Sequence, residues 1–363
     1  MRIMKILQLL PELNIGGVER GTIDLAKILV EEGHKSFVIS NGGRLVSQLE
    51  KNGSSHVSMP IHKKSLKTFF LSFELAKHIE DISPDIVHVR SRMPAWVNFF
   101  ALKKLKNKPI CVSTFHGLYS FPTYSQVMSF TDHSIAISET VKEYMQLKYK
   151  IPNEKITVIP RGCDMNVFNN NPLDKEWIIS FLKQFPSVAD KKILTMPTRI
   201  TRWKGVDTFV KLLSQLDDTF IGLIVGPVSK SKKRYLKELK FLIAKLKCEN
   251  KIIFTDSRND ISNIYKFSDL VFNLSSSPEP FGRTMIEAIS CGTNVVAWDH
   301  GGANEILSTL FPEGLVKLND VIQLQETVEK LIKNKDLQPS ENIFTVSRMT
   351  SETIDLYSKL LKN

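Results

Sequence analysis

The stretch "DLVFNLSSSPEPFGRTMIEAISCGTNVVAW", residues 269–298, holds the architecture of the chain in miniature. Its two ends, "DLVFNL" and "TNVVAW", are short apolar runs of strand length. Between them "FGRTMIEAIS" spaces its apolar residues at helical period, and Pro278 and Pro280 hold off the helix until about Gly282. Strand, turn, helix and strand in that order make the unit from which a parallel sheet covered by helices is built.

The same alternation extends in both directions. Upstream and downstream lie "KILTMPT", "FIGLIVG", "KIIFT" and "GLVKL", separated by helix-period segments. The first half repeats it with "IMKILQLL", "KSFVIS", "SHVSM", "DIVHV", "PICVST", "HSIAIS" and "ITVIP", with helices over 18–32 and 139–149 among the segments between. The alternation breaks at "PRGCDMNVFNNNPLD" (160–174), rich in Pro, Gly and Asn, which reads as a linker. At 363 residues the chain is long enough for two cores. The expected organisation is two doubly wound α/β domains, 1–165 and 166–345, followed by a terminal helix, 346–363, packed back on the body.

Composition sets the class. With 42% hydrophobic and 24% charged residues the chain reads as globular. The start, "MRIMKILQLLPEL", has an apolar run too short for a signal peptide and is read as a first strand. No apolar stretch approaches the roughly 20 residues that cross a bilayer. The four cysteines, Cys111, Cys163, Cys248 and Cys291, form no C-x-x-C pair, which argues against a disulfide framework or zinc knuckle and suits a cytoplasmic protein. The net charge of +11 is uneven, with 22 Lys and Arg against 15 Asp and Glu in residues 1–170. Its runs "HKKSLK" (62–67) and "KKLKNK" (103–108) are either solvated faces or a surface that meets something anionic. The helix pattern 93–108 adds Trp96, Phe99 and Phe100, as core or as a contact with an anionic membrane surface.

In doubly wound sheets ligands sit beyond the carboxyl ends of the strands, which singles out Gly16, Gly17, Arg90, His116, Arg199, Gly226 and Glu279. A helix starting near Gly282 aims the amides of Gly282, Arg283 and Thr284 outward, a seat for a phosphate. Glu287 lies about 7.5 Å further along the helix axis, and Glu279 lies ahead of the first turn. Ionised carboxylates accept paired hydroxyl donors, so two of them around an anion seat suit a diphosphate with a hydroxyl-rich ring at each end. The competing account is a helix-start charge at Glu279 and a surface residue at Glu287. Arg199 and Lys204, in "PTRITRWKGVD", straddle the exit of the second half's first strand, where two cations can neutralise a diphosphate leaving group. Gly16 and Gly17, in "LPELNIGGVERG", allow close approach to backbone.

Together with "PDIVHVRSRMPAW", "STFHG", "VIPRGCD" and "CGTNVVAWDHGGANEIL", these motifs resemble the family 4 glycosyltransferases of the GT-B fold over essentially the whole chain. "HVRSRMPAW" is similar to a bacterial subset of cell-envelope polysaccharide and lipopolysaccharide enzymes. The resemblance implies two Rossmann-like domains facing a cleft and a retaining transfer of sugar from a nucleotide donor to a saccharide or lipid-linked acceptor. It implies no cofactor and no metal, and the absence of any Asp-x-Asp agrees with that. Carried over, Arg199 and Lys204 bind the diphosphate, Glu287 the ribose, and Glu279 the donor sugar, assisted by amides around Phe281 and Gly282. Gly17 approaches the donor phosphate and His116 the reacting centre, while Arg90 and Arg92 fall to the acceptor. Thr198, Arg161 and Arg283 depart from the family's usual residues.

Four other readings compete. A sugar-nucleotide epimerase or a phosphorylase would share the fold. A NAD-dependent oxidoreductase lacks its G-x-G-x-x-G after either leading strand. A nucleic-acid binder, suggested by a pI of about 9.3, lacks a motif to go with the charge, so no nucleic-acid partner is expected. An inactive scaffold is disfavoured because both glutamates and the basic pair are present.

Overall fold

The inner apolar runs are buried on both faces, as in a parallel sheet covered by helices, while the edge strands near 55–58 and 252–256 are more open. A computed structural model describes residues 2–14, 16–63, 66–120, 122–227 and 233–362. Among them thirteen strands form two parallel sheets. The first contains β1 (Lys5–Leu9), β2 (Lys35–Ser40), β3 (Ser55–Ser58), β4 (Ile86–Val89), β5 (Ile110–Phe115), β6 (His133–Ala136) and β7 (Ile156–Val158), in the order β3-β2-β1-β4-β5-β6-β7. The second contains β8 (Lys192–Pro197), β9 (Phe220–Val225), β10 (Ile252–Asp256), β11 (Leu270–Asn273), β12 (Asn294–Trp298) and β13 (Leu315–Val316), in the order β10-β9-β8-β11-β12-β13. Each sheet grows outward on one side and then resumes on the other. The reversal falls between β1 and β4 in the first and between β8 and β11 in the second, the place where such sheets hold their ligands.

The chain divides into two compact units, Met1–Gly162 with Val346–Asn363, and Cys163–Thr345. The sequence reading placed the junction after residue 165. The second unit begins earlier because Cys163 bridges Thr345 in parallel and donates its N–H to Phe344 O at 2.9 Å.

The terminal helix Val346–Leu360 belongs to the first unit. Met349, Ile354, Leu356 and Tyr357 share a core with Met4, Ile6, Leu25, Leu29 and Ile86. Inside that core the His88 ring is clamped at both nitrogens, with Nδ1 2.6 Å from Tyr357 Oη and Nε2 2.6 Å from Thr114 Oγ1. Burial, and then the neighbouring Arg90, hold the imidazole well below its ordinary pKa, so it sits neutral between two hydroxyls.

One helix differs from its sequence reading. The pattern over 93–108 forms helix only across Arg92–Leu102. Lys104 and Leu105 turn back on Ala101 and Leu102, Leu105 plugs into the core, and Lys103, Lys104, Lys106 and Lys108 are left exposed. Among the described residues no helix is long and apolar enough to cross a membrane.

Tyr357→Phe removes one of the two hydroxyls that hold buried His88. A loss of about 1–2 kcal/mol is expected in chemical unfolding, the usual cost of an orphaned buried hydrogen-bonding group; an unchanged midpoint would show that the terminal helix is held by apolar packing alone.

Candidate active site

The second unit builds its site on the strand reversal. After β8 the loop 198–205 leans first on β9, through Thr198 N–H to Val225 O at 2.8 Å. Gly226, with φ of 156°, leaves the room for this: a Cβ there would lie 2.0 Å from Thr198 O. The loop then crosses to β11. Ser276 donates its N–H to Trp203 O at 2.7 Å. Gly205, in the left-handed region at φ 74°, presses so close that a Cβ would meet Leu274 O at 2.0 Å.

This stapling fixes Lys204. Its ammonium lies 4.2 Å over the Trp203 ring and pairs with the Glu279 carboxylate, which also accepts from Ser275 Oγ at 2.6 Å. Glu279 is only 7% exposed. Arg199 stands exposed at the start of the loop.

The loop that carries Glu279 rests on the first turn of the helix Gly301–Leu310. Gly302 donates its N–H to Glu279 O at 2.8 Å, and a Cβ on Gly302 would strike Phe281 O at 2.2 Å. His300 Nε2 donates to Ser275 O at 2.7 Å. Buried Phe281 sets its ring edge-on to Phe344 at 5.6 Å. Ser275, Trp203, Gly205, His300, Gly301 and Gly302 thus support the site, although the sequence reading gave them no role. The glycine pair before a helix pattern was the legible signal for the last two.

The helix Arg283–Ser290 starts from Gly282, whose φ of 108° aims the chain into the first turn. Arg283 and Thr284 open it, and Glu287 follows four residues after Arg283. The Arg283 and Glu287 side chains pair with each other at 3.0 Å. Glu287 is buried. Burial raises its pKa above the ordinary carboxylate range, opposed by Arg283 and by a hydrogen bond from Tyr265. The same enclosure pushes the thiols of Cys163 and Cys291 up to about 12. The sequence therefore anticipates where this helix starts and does not tell how its side chains partner one another.

In the first unit, Gly16 and Gly17 lie where the helix Gly17–Glu31 begins. The Glu19 carboxylate folds over Gly16, where a Cβ would be 2.2 Å from its Oε2. Arg161, at the exit of β7, reaches under the same turn and donates to Gly17 O, its two terminal nitrogens 2.9 Å from where a Cβ of Gly21 would stand. Arg90 is 4% exposed and donates to Gln8 Oε1 at 2.8 Å, so it is turned inward. Arg92 stacks over Tyr119 and Tyr124, 4.9 and 5.4 Å from the ring centres. His116 donates its backbone N–H to Tyr119 Oη at 3.1 Å, and both of its ring nitrogens are buried without a partner. Burial, then Arg161, Arg90 and His88, keep its pKa well below the usual histidine range. A neutral imidazole offers one donor and one acceptor.

Two measurements test this geometry. Gly205→Ala forces a side chain into the left-handed region and against Leu274, so a loss of about 1–3 kcal/mol is expected together with a fall in turnover as Lys204 shifts; unchanged activity would detach Lys204 from the chemistry. For Glu287 the folded pKa lies above the unfolded one, so the folded chain binds this proton more tightly. The destabilisation is absent below the unfolded pKa and complete above the folded one, and stability falls as pH rises through that window. Unfolding midpoints of Glu287→Gln followed across the same pH range should lack that fall.

The family of these residues is settled by comparison. The sequence model of Glycosyltransferase Family 4 matches residues 15–167, and that of Glycosyl transferases group 1 matches 179–343. The chain is similar to the solved structure of a glycosyltransferase from Rickettsia africae, at 32% identity and a TM-score of 0.85, covering 100% of both chains. The Anabaena protein Alr3699/HepE, solved in complex with UDP and glucose, shares the fold at 24% identity and a TM-score of 0.79, over 98% of this chain and 99% of that one. One of the subunits of the Homo sapiens phosphatidylinositol N-acetylglucosaminyltransferase is 26% identical over 359 residues, 92% of this chain and 69% of that protein. The chain is a GT-B enzyme and belongs to the family 4 glycosyltransferases.

Proposed function

We propose that this enzyme moves a sugar from a nucleotide diphosphate sugar to a saccharide or lipid-linked acceptor, with retention of anomeric configuration, in cell-envelope polysaccharide or lipopolysaccharide synthesis at the cytoplasmic face of the membrane. The observation that carries this reading is the Lys204–Glu279 pair at the strand reversal, beside a helix start that holds Arg283 and Glu287. The UDP and glucose bound to the Anabaena protein support a nucleotide-sugar donor. The name of the human relative, a transferase acting on phosphatidylinositol, supports a lipid-linked acceptor.

In this reading the second unit holds the donor. A diphosphate draws Lys204 and Arg199, and the first amides of the helix Arg283–Ser290 face it. Glu279 accepts hydroxyls of the donor sugar and Glu287 those of the ribose. During transfer the bond between the anomeric carbon and the phosphate oxygen breaks, the acceptor oxygen bonds to that carbon from the same face, and its proton passes to the leaving phosphate. The protein's contribution is to stabilise charge on that leaving group. Side chains supply the cations, so no metal or cofactor is assigned. The first unit receives the acceptor, with neutral His116 as a hydrogen-bonding partner near the reacting centre.

Thermal-shift measurements against a panel of nucleotide sugars test the donor. A true donor at 100 times its Kd should add about 2.7 kcal/mol of stability. Lys204→Ala should mainly lower kcat and Glu287→Ala mainly raise the donor KM. Negligible effects from both would remove the site. NMR of the product should show the anomeric configuration of the donor, and turnover should survive a chelator. Sugar phosphate released with orthophosphate would mark a phosphorylase instead, and conversion of the donor without acceptor an epimerase.

A further inference from the structure

The first unit carries a surface that the transfer reaction does not use. On the helix Leu66–Ile82, Phe70 and Phe73 are 71% and 63% exposed. Three residues apart, they sit on one helix face. Neighbouring exposed phenyl rings mark a surface meant to be covered. The helix Arg92–Leu102 packs against this helix, and the turn that follows it supplies cations: Lys104 Nζ lies 4.2 Å from the centre of the Phe73 ring, and Lys103 Nζ lies 4.2 Å from that of Phe99. Phe99 is part of an aromatic cluster with Trp96, Phe100 and Phe130, of which Phe130 is 46% exposed. Lys63, Lys77, Lys106 and Lys108 are also exposed in this part of the unit, against Glu74, Glu80 and Asp81.

The sequence leaves Trp96, Phe99 and Phe100 open between core and such a surface. The structure anchors Trp96 instead, through Nε1 donating to Tyr124 O at 3.0 Å and a stack on Phe100. The protruding rings are Phe70 and Phe73. Phenyl groups flanked by ammonium groups on flexible stems match a water–lipid boundary of negative charge, where the rings enter the acyl region and the lysines meet headgroup phosphates.

We propose that this face, led by Phe70 and Phe73 and ringed by Lys103 and Lys104, docks the enzyme on an anionic bilayer. The proposal deepens the lipid-linked acceptor reading and rests on it for its purpose: a docked first unit meets its acceptor in the plane of the membrane. The test is co-flotation of the full chain with vesicles of phosphatidylcholine alone or with phosphatidylglycerol. Binding is expected only to the anionic vesicles and should fall at least about tenfold in high salt. The double variants Phe70→Ser/Phe73→Ser and Lys103→Glu/Lys104→Glu should each lower it about tenfold or more, while nucleotide-sugar thermal shifts stay unchanged. No flotation of the parent chain, or flotation undiminished in both variants, overturns the proposal. So does light scattering that shows the phenylalanines holding two copies together. The thermal shift reports donor binding separately, so docking and transfer can fail independently.

Discussion

The second unit is organised around one ion pair that bridges a reversal in strand order. Lys204 and Glu279 are 75 residues apart in sequence, yet β8 and β11 are neighbours in the sheet, and the loops leaving them meet at their carboxyl ends. A pair this enclosed gains little from Coulomb attraction once desolvation is counted, unless further hydrogen bonds complete it. Ser275 supplies one. The remaining support is steric, since Gly205 against Leu274 O and Gly302 against Phe281 O bring backbones too close for any side chain. The pair is therefore positioned by the glycines around it more than by its own attraction.

The architecture was readable because strand runs and helix periods alternate without ambiguity, and each expected strand forms. Partnerships were harder to read. The sequence assigns Arg283 through its backbone amide and Glu287 through its carboxylate, and does not tell that the two side chains, at i,i+4, pair with each other on the helix. Arg90 follows a strand, which marked it for binding, but whether such a side chain turns inward depends on a partner such as Gln8 on the neighbouring strand β1. Periodicity carries no information about that.

The first unit manages charge differently. It buries Arg90 and Arg161 close to two histidines. Such an enclosure tolerates the arginines because their guanidinium groups donate to Gln8 and Gly17, and it keeps His88 and His116 neutral. Arg161 also ties the last strand of the sheet to the first turn of its first helix, a link of 144 residues. The missing side chain at Gly21 makes room for it. The glycine loop is thus held from below by a cation, while the Glu19 carboxylate lies over Gly16.

Each of the two site carboxylates already has a cationic partner, Glu279 in Lys204 and Glu287 in Arg283. A diphosphate arriving at the helix start would compete for those cations, and sugar hydroxyls would replace them at the carboxylates. Binding then exchanges one set of charge partners for another, so no buried carboxylate is left bare at any stage, and the large cost of an isolated buried charge is avoided. The exchange demands the whole ligand. A diphosphate alone would pull the cations and strand the acids, and a sugar alone would find the acids occupied. If the site holds a nucleotide sugar as proposed, affinity for the complete donor would exceed what its two halves supply separately, and the enzyme would discriminate donor from spent nucleotide without a dedicated gate.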